Sequence, residues 1–168
     1  EAHRSLRDRL IEAGRLIPTG VDGVYGRDAA FEAIVLGIDR LVHVAGAPDS
    51  PTVVEYPPMI PKVDFDRIGY LRNFPELVGP VFSFIGDQND HKAVVARLDA
   101  GEAYDDLLTQ SELALAPACC YSVYPSLSGE IGASGRTFET CGYCFRHEPS
   151  VDPIRMHAFR QREHIRVG

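Results

Sequence analysis

Between positions 28 and 45 the apolar residues Phe31, Ile34, Val35, Ile38, Leu41, Val42 and Ala45 recur at helical spacing. Asp28 ahead of them is a good N-cap, and Gly46 and Pro48 end the run. Such a stripe serves either as core or as an interface. Residues 3 to 16 predict an earlier helix, with Leu6, Leu10 and Ile11 on one side. The stretch from Gly20 to Gly26 separates the two and cannot hold regular helix for long.

Downstream the pattern shortens. Thr52 to Tyr56 reads as a strand closed by Pro57 and Pro58, and Val81 to Ile85 as another. Asp90 is expected to cap a helix carrying Val94, Val95 and Leu98 to Gly101. Leu113 to Ala118, Thr137 to Glu148 and Met156 to Val167 read as strands, the last two joined by a loop from Pro149 to Pro153. Helices early and strands late predict an α+β fold with a largely antiparallel sheet.

Composition changes this picture little. The 168 residues, 45% hydrophobic and 24% charged, suit one soluble domain. Apolar runs such as Ala114 to Cys120 are too short for a membrane span, and no segment has the build of a signal peptide. No membrane association and a cytoplasmic location are therefore expected. The chain starts at Glu1 and stops at Gly168 within an apparently structured segment, so a piece of a longer protein is expected.

Charge narrows the partners. The net charge is −7, and basic residues gather only in Arg4 to Arg15 and Arg146 to Arg166. That leaves room for a local phosphate site but not for a broad RNA-binding surface, whose affinity would need clustered cations.

The stretch with the most chemistry runs from Cys144 to Glu163. On a strand, Arg146 and Glu148 point the same way, and on the returning strand Phe159 and Glu163 can share a face. A hairpin would then gather a guanidinium fork for phosphate, a ring on which a base stacks, and a carboxylate for an exocyclic amine. An ordinary solvent-facing hairpin with salt bridges is the plainer alternative.

Phe145-Arg146-His147-Glu148, a loop, and then Arg155, Phe159 and Glu163 at four-residue steps resemble motif 2 of class II aminoacyl-tRNA synthetases. The helix from Asp28 and the strand ending at Pro57-Pro58 resemble motif 1, so motif 1 is expected at about 28–61 and motif 2 at about 143–165. Glu55-Tyr-Pro-Pro-Met-Ile and Gly69-Tyr-Leu-Arg-Asn-Phe-Pro are similar to the seryl branch. Cys120-Tyr-Ser-Val-Tyr-Pro together with Tyr143-Cys-Phe-Arg-His-Glu-Pro-Ser resembles the amino acid:carrier-protein ligases, relatives of a zinc-dependent seryl-tRNA synthetase.

The resemblance implies the N-terminal part of a class II synthetase-like catalytic domain spanning 1–168, dimeric through the motif 1 helix. It implies activation of a small amino acid, glycine or alanine, with ATP and Mg2+. The aminoacyl group would then pass to the phosphopantetheine thiol of a carrier protein. Arg146 would hold the α-phosphate, Glu148 the adenine amine and Arg155 the terminal phosphates, while Phe159 would stack on adenine. The short loop between Glu148 and Arg155 and the acidic balance argue against tRNA as acceptor. Motif 3 is absent, so this chain alone is expected to be inactive.

The same resemblance implies Zn2+ held by Cys120 and Glu163, with a third ligand, a cysteine, outside the chain. Three protein ligands with one open position make a functional site. Cys119 is expected to face away from Cys120, as neighbours on a strand do, and to be buried. A rival reading joins Cys119, Cys120, Cys141 and Cys144 in a structural zinc site; Cys141 and Cys144 as packed thiols is the plainer one. His147 is expected to face away from the nucleotide. His157 and His164 suggest no catalytic set. A zinc-type serine–tRNA ligase and a non-catalytic synthetase paralogue are the functional alternatives.

Overall fold

The computed structural model describes residues 2–148 and 150–168. Helix α1 (Ala2–Glu12) stops earlier than its periodicity predicts, because Gly14 adopts φ +68° and turns the chain. Leu16, expected at the helix end, is instead buried in a short strand, β1 (Leu16–Pro18), which pairs with β2 (Tyr25–Arg27). Helix α2 (Ala29–Gly46) follows as predicted, and the Asp28 carboxylate accepts from the Phe31 amide at 2.8 Å.

Two three-stranded sheets form the body. In one, β7 (Arg136–Phe145) lies between β3 (Thr52–Val54) and β8 (Ala158–Val167). Its pairing with β3 is parallel and with β8 antiparallel. In the other, β6 (Thr109–Leu115) lies between β4 (Met59–Pro61) and β5 (Pro80–Ser83), antiparallel to both. Between β4 and β5 run two short helices, α3 (Lys62–Arg67) and α4 (Tyr70–Asn73). The α+β class holds, but helices and strands interleave along the whole chain.

Helix α5 (Gln88–Ala100) corrects one cap. Asp87, not Asp90, is the N-cap; Asp90 sits three residues later and accepts from the Asp87 amide at 2.9 Å, completing a capping box. The strand expected at Leu113 to Ala118 starts earlier and ends at Leu115. Beyond it Cys119–Ser122 forms a 3-10 turn rather than strand. Pro149, placed in the hairpin loop, lies outside the described residues.

The core has two centres. Ile60, Phe65, Tyr70 and Ala114 pack with Leu77, Val78 and Tyr121. Val123, Phe138 and Ile165 pack with Val54, Cys120 and Leu127. The turn carrying Cys119 to Val123 therefore bridges the two sheets. Among the described residues no helix is long and apolar enough to cross a membrane.

Candidate active site

The β7–β8 register sorts this hairpin into two faces. Thr140 stands opposite Glu163, Gly142 opposite Gln161, and Cys144 opposite Phe159. Opposed residues share a face. Cys119 from the 3-10 turn lies against this face, its thiol 3.6 Å from the Gly142 carbonyl oxygen and 3.5 Å from that of Gln161.

On the same face the Cys120 amide donates to Glu163 Oε2 at 2.7 Å. Burial, with the Glu163 carboxylate adding to it, pushes the Cys120 thiol up to about 11. Burial and the hydrogen bond with Cys120 push Tyr124 up to about 12. Cys119 and Cys144 touch, Sγ to Sγ 3.4 Å, and Cys144 reaches Gln161 Oε1 at 3.2 Å. The contact lowers the Cys119 pKa and raises that of Cys144, since two thiolates cannot coexist there.

Arg146 lies just beyond β7. Its Nε donates to the Pro117 carbonyl at 3.0 Å, and its guanidinium carbon stands 5.2 Å from the Phe159 ring centroid. Fork and ring therefore share one surface. Glu148 does not continue the strand, for its amide turns back to the Arg146 carbonyl at 2.8 Å. Its carboxylate accepts from Arg155 at 3.2 Å.

The Tyr70 phenol is raised by burial, lowered by Arg146 and raised again by Tyr121, Glu76 and Glu148. Tyr121, 5.6 Å from Tyr70 in an edge-to-face contact, is raised by burial and then by Cys120, and lowered by Arg146. A concavity of about 390 Å³ lined by Tyr56, Met59, Asp64 and Ser122 adjoins the turn but includes none of the six predicted residues.

The four-thiol reading is overturned. Cys141 faces the opposite side of the hairpin, toward Asp39 at 3.5 Å, while Cys120 faces Glu163. Among the described residues no three His, Cys, Asp or Glu side chains are gathered to hold a metal. Cys120 and Glu163 are neighbours, yet they are only two donors.

The far face carries charge that the sequence did not reveal. Glu139 is fully buried, hydrogen-bonded to His43 at 2.8 Å and paired with Arg162. Arg162 also clasps both oxygens of Asp39 at 2.7 Å, and Arg160 reaches Glu32 at 2.8 Å. These pairs fasten α2 to β7 and β8. Tyr121, Tyr124 and Gln161 neighbour the predicted residues Cys120 and Glu163 or their face of the hairpin, and His157 neighbours Glu148; spacing alone did not point to them. Cys120-Tyr-Ser-Val-Tyr-Pro held the only signal for two of them.

No family model matches the chain. Two curated relatives come from Bradyrhizobium diazoefficiens. Amino acid–acyl-carrier-protein ligase 2 is 36% identical over 151 residues, covering 89% of this chain and 45% of the relative. Ligase 1 is 35% identical, covering 89% and 46%. The chain thus spans less than half the length of these relatives.

Among solved structures, M. kandleri SerRS in complex with A. aeolicus tRNASec superposes with a TM-score of 0.80 at 19% identity, over 94% of this chain and 33% of that one. Prolyl-tRNA synthetase of Giardia lamblia, in complex with prolyl-adenylate, gives 0.68 at 16% identity over 96% and 31%. The architecture is that of a class II aminoacyl-tRNA synthetase catalytic domain.

Proposed function

The chain is a relative of the amino acid–acyl-carrier-protein ligases, built on the class II aminoacyl-tRNA synthetase fold, and on that premise we propose that it binds ATP and activates a small amino acid for transfer to a carrier protein. The amino acid's carboxylate oxygen attacks the α-phosphorus of ATP and pyrophosphate leaves. The thiol of a phosphopantetheinylated carrier protein then attacks the acyl carbon, loses its proton to solvent, and AMP leaves. The carboxylate is already a nucleophile at neutral pH, so positioning and charge neutralisation supply the acceleration.

The observation that carries the reading is the Arg146 guanidinium standing over the Phe159 ring at 5.2 Å, a phosphate fork beside a stacking plate. Arg146 holds the α-phosphate and Phe159 the adenine. Glu148 accepts from the adenine amine. Arg155, exposed and tied to Glu148 at 3.2 Å, swings to the terminal phosphates, whose charge Mg2+ would screen. Cys120 and Glu163 face one another and offer a soft and a hard donor suited to Zn2+, which would hold the amino acid's amine. With two donors only, the site takes its third ligand from sequence beyond this chain. The amino acid on this reading is a small one, glycine or alanine.

Helix α2 has no buried residue, and Ile34, Ile38 and Leu41 on one stripe are 65%, 58% and 71% exposed. A second copy covering this stripe makes a homodimer. We place the protein in the cytoplasm and expect this chain alone to be inactive.

The test is amino-acid-dependent pyrophosphate exchange on the intact protein, with glycine, alanine and serine compared. Exchange with one of the small amino acids, and acylation of a pantetheinylated carrier but not of tRNA, is the expected result. Acylation of tRNA instead makes the protein a serine–tRNA ligase, and no exchange makes it a binding subunit.

A further inference from the structure

We propose that His157 is a positioning residue for the nucleotide site: its Nδ1 accepts the Glu148 amide and holds the 146–148 segment so that Glu148 meets the base. This rests on the function proposed above.

His157 immediately precedes β8 and is only 6% exposed. Its ring stacks with Phe145, centroids 5.7 Å apart and 13° from parallel, and with His147, at 5.3 Å and 29°. The stack fixes the ring plane. Nδ1 lies 3.2 Å from the Glu148 amide nitrogen and 3.2 Å from the Arg146 carbonyl oxygen. One ring nitrogen cannot accept from the first and donate to the second at once. The Arg146 carbonyl already accepts the Glu148 amide at 2.8 Å. In the proposed Nε2–H tautomer, Nδ1 adds a second acceptor to the amide proton at which the strand breaks.

The backbone closes the arrangement. The Arg146 amide donates to the His157 carbonyl at 2.9 Å, and the His157 amide donates to the Gly23 carbonyl at 2.8 Å. Gly23 has φ +82°, and a Cβ there would stand 2.9 Å from the imidazole Cδ2. The glycine-rich stretch before β2 thus has a local reason at this position: it lets the backbone close over this ring.

A ladder pair between residues 146 and 157 would form with many side chains at 157, so the test must isolate the acceptor. His157→Phe keeps the ring stack and removes it. His157→Asn puts an amide oxygen where Nδ1 was. On the intact protein, His157→Phe should raise the KM for ATP in pyrophosphate exchange about tenfold with kcat changed less than about threefold, and His157→Asn should recover most of that loss. In a Glu148→Gln background His157→Phe should add less than about twofold, because the two act through one contact.

Selective 15N labelling of histidine should show Nδ1 of His157 without a proton. Equal effects of Phe and Asn, additivity with Glu148→Gln, or a protonated Nδ1 would each overturn the proposal. If the wild-type protein gives no exchange, the functional reading fails, and the spectrum still decides whether the ring holds the Glu148 amide.

Discussion

The Cys120 amide donates to Glu163 Oε2 at 2.7 Å across 43 positions of sequence, joining the 3-10 turn to the middle of β8. The same contact sets thiol beside carboxylate, an arrangement that a cation stabilises and its absence penalises. Cys120→Ser and Glu163→Gln should each weaken Zn2+ binding by the intact protein at least about tenfold, given that even outer-shell changes cost that much. Competition with a chromogenic chelator reads it. Unchanged affinity in both variants removes these residues from any metal site.

Arg146→Ala should lower pyrophosphate exchange about 10²–10³-fold, the usual loss for a preorganised charge stabiliser. Arg146→Lys should not restore it, because an ammonium lacks the planar fork. The melting temperature should barely move, since the side chain donates a single bond to the Pro117 carbonyl. A variant with wild-type exchange would remove Arg146 from the reaction.

Phe159→Ala should raise the KM for ATP about tenfold or more, as a base–aromatic stack is worth about 1–3 kcal/mol. Phe159→Tyr keeps the plate and should stay close to wild type. Isothermal titration with a non-hydrolysable ATP analogue measures this apart from catalysis.

The far face of the hairpin should set how the fold responds to acid. Burial alone would raise the Glu139 pKa, but the bonds from His43 and Arg162 outweigh it, and the Arg162 bond holds Asp39 low as well. Carboxylates held low in the folded state contribute stability above their unfolded pKa of about 4, and lose it as pH falls through the lower folded values. Thermal midpoints should therefore drop steeply below about pH 4. Arg162→Met leaves Glu139 buried with one partner fewer and should cost about 3–5 kcal/mol, and its acid loss should begin at higher pH. Urea melts at pH 4 and 7 check both; an unaltered midpoint would mean the pair is idle.

Leu41→Glu, on the exposed stripe of α2, should convert a homodimer of the intact protein to monomer in light scattering. A mass unaltered by the substitution would put the interface elsewhere, or show that none exists.

Much of the fold was legible because its signals are local. Asp28 capping α2 and the even spacing of Phe159 and Glu163 both follow from one element's geometry. The helix expected over 3–16 ends sooner because Gly14 adopts positive φ, which turns the chain and releases Leu16 into β1. Asp87 and Asp90 are both good caps in sequence, and the chain used the pair reciprocally.

The site was legible by halves. The resemblance to motif 2 points to Arg146, Glu148 and Phe159 as proposed site residues, while the strand break that brings the Glu148 amide to His157 leaves no trace in spacing, because it involves a ring that meets the strand only in the folded chain. The adjacent cysteines show the limit of a parity argument. Cys119 is buried and Cys120 meets Glu163, as expected, but they part company in a 3-10 turn and not on a strand.

By itself the sequence determined the longer elements, such as α2 and the β7–β8 pair, and which residues along those strands share a face, since backbone periodicity depends only on neighbours along the chain. Tertiary structure decided what covers each face: the 119–122 turn over Glu163 and Gln161 on one side, α2 over Glu139 and Arg162 on the other. Those contacts join residues 43 and 96 positions apart, and nothing in a local pattern states which distant element will fold onto which surface.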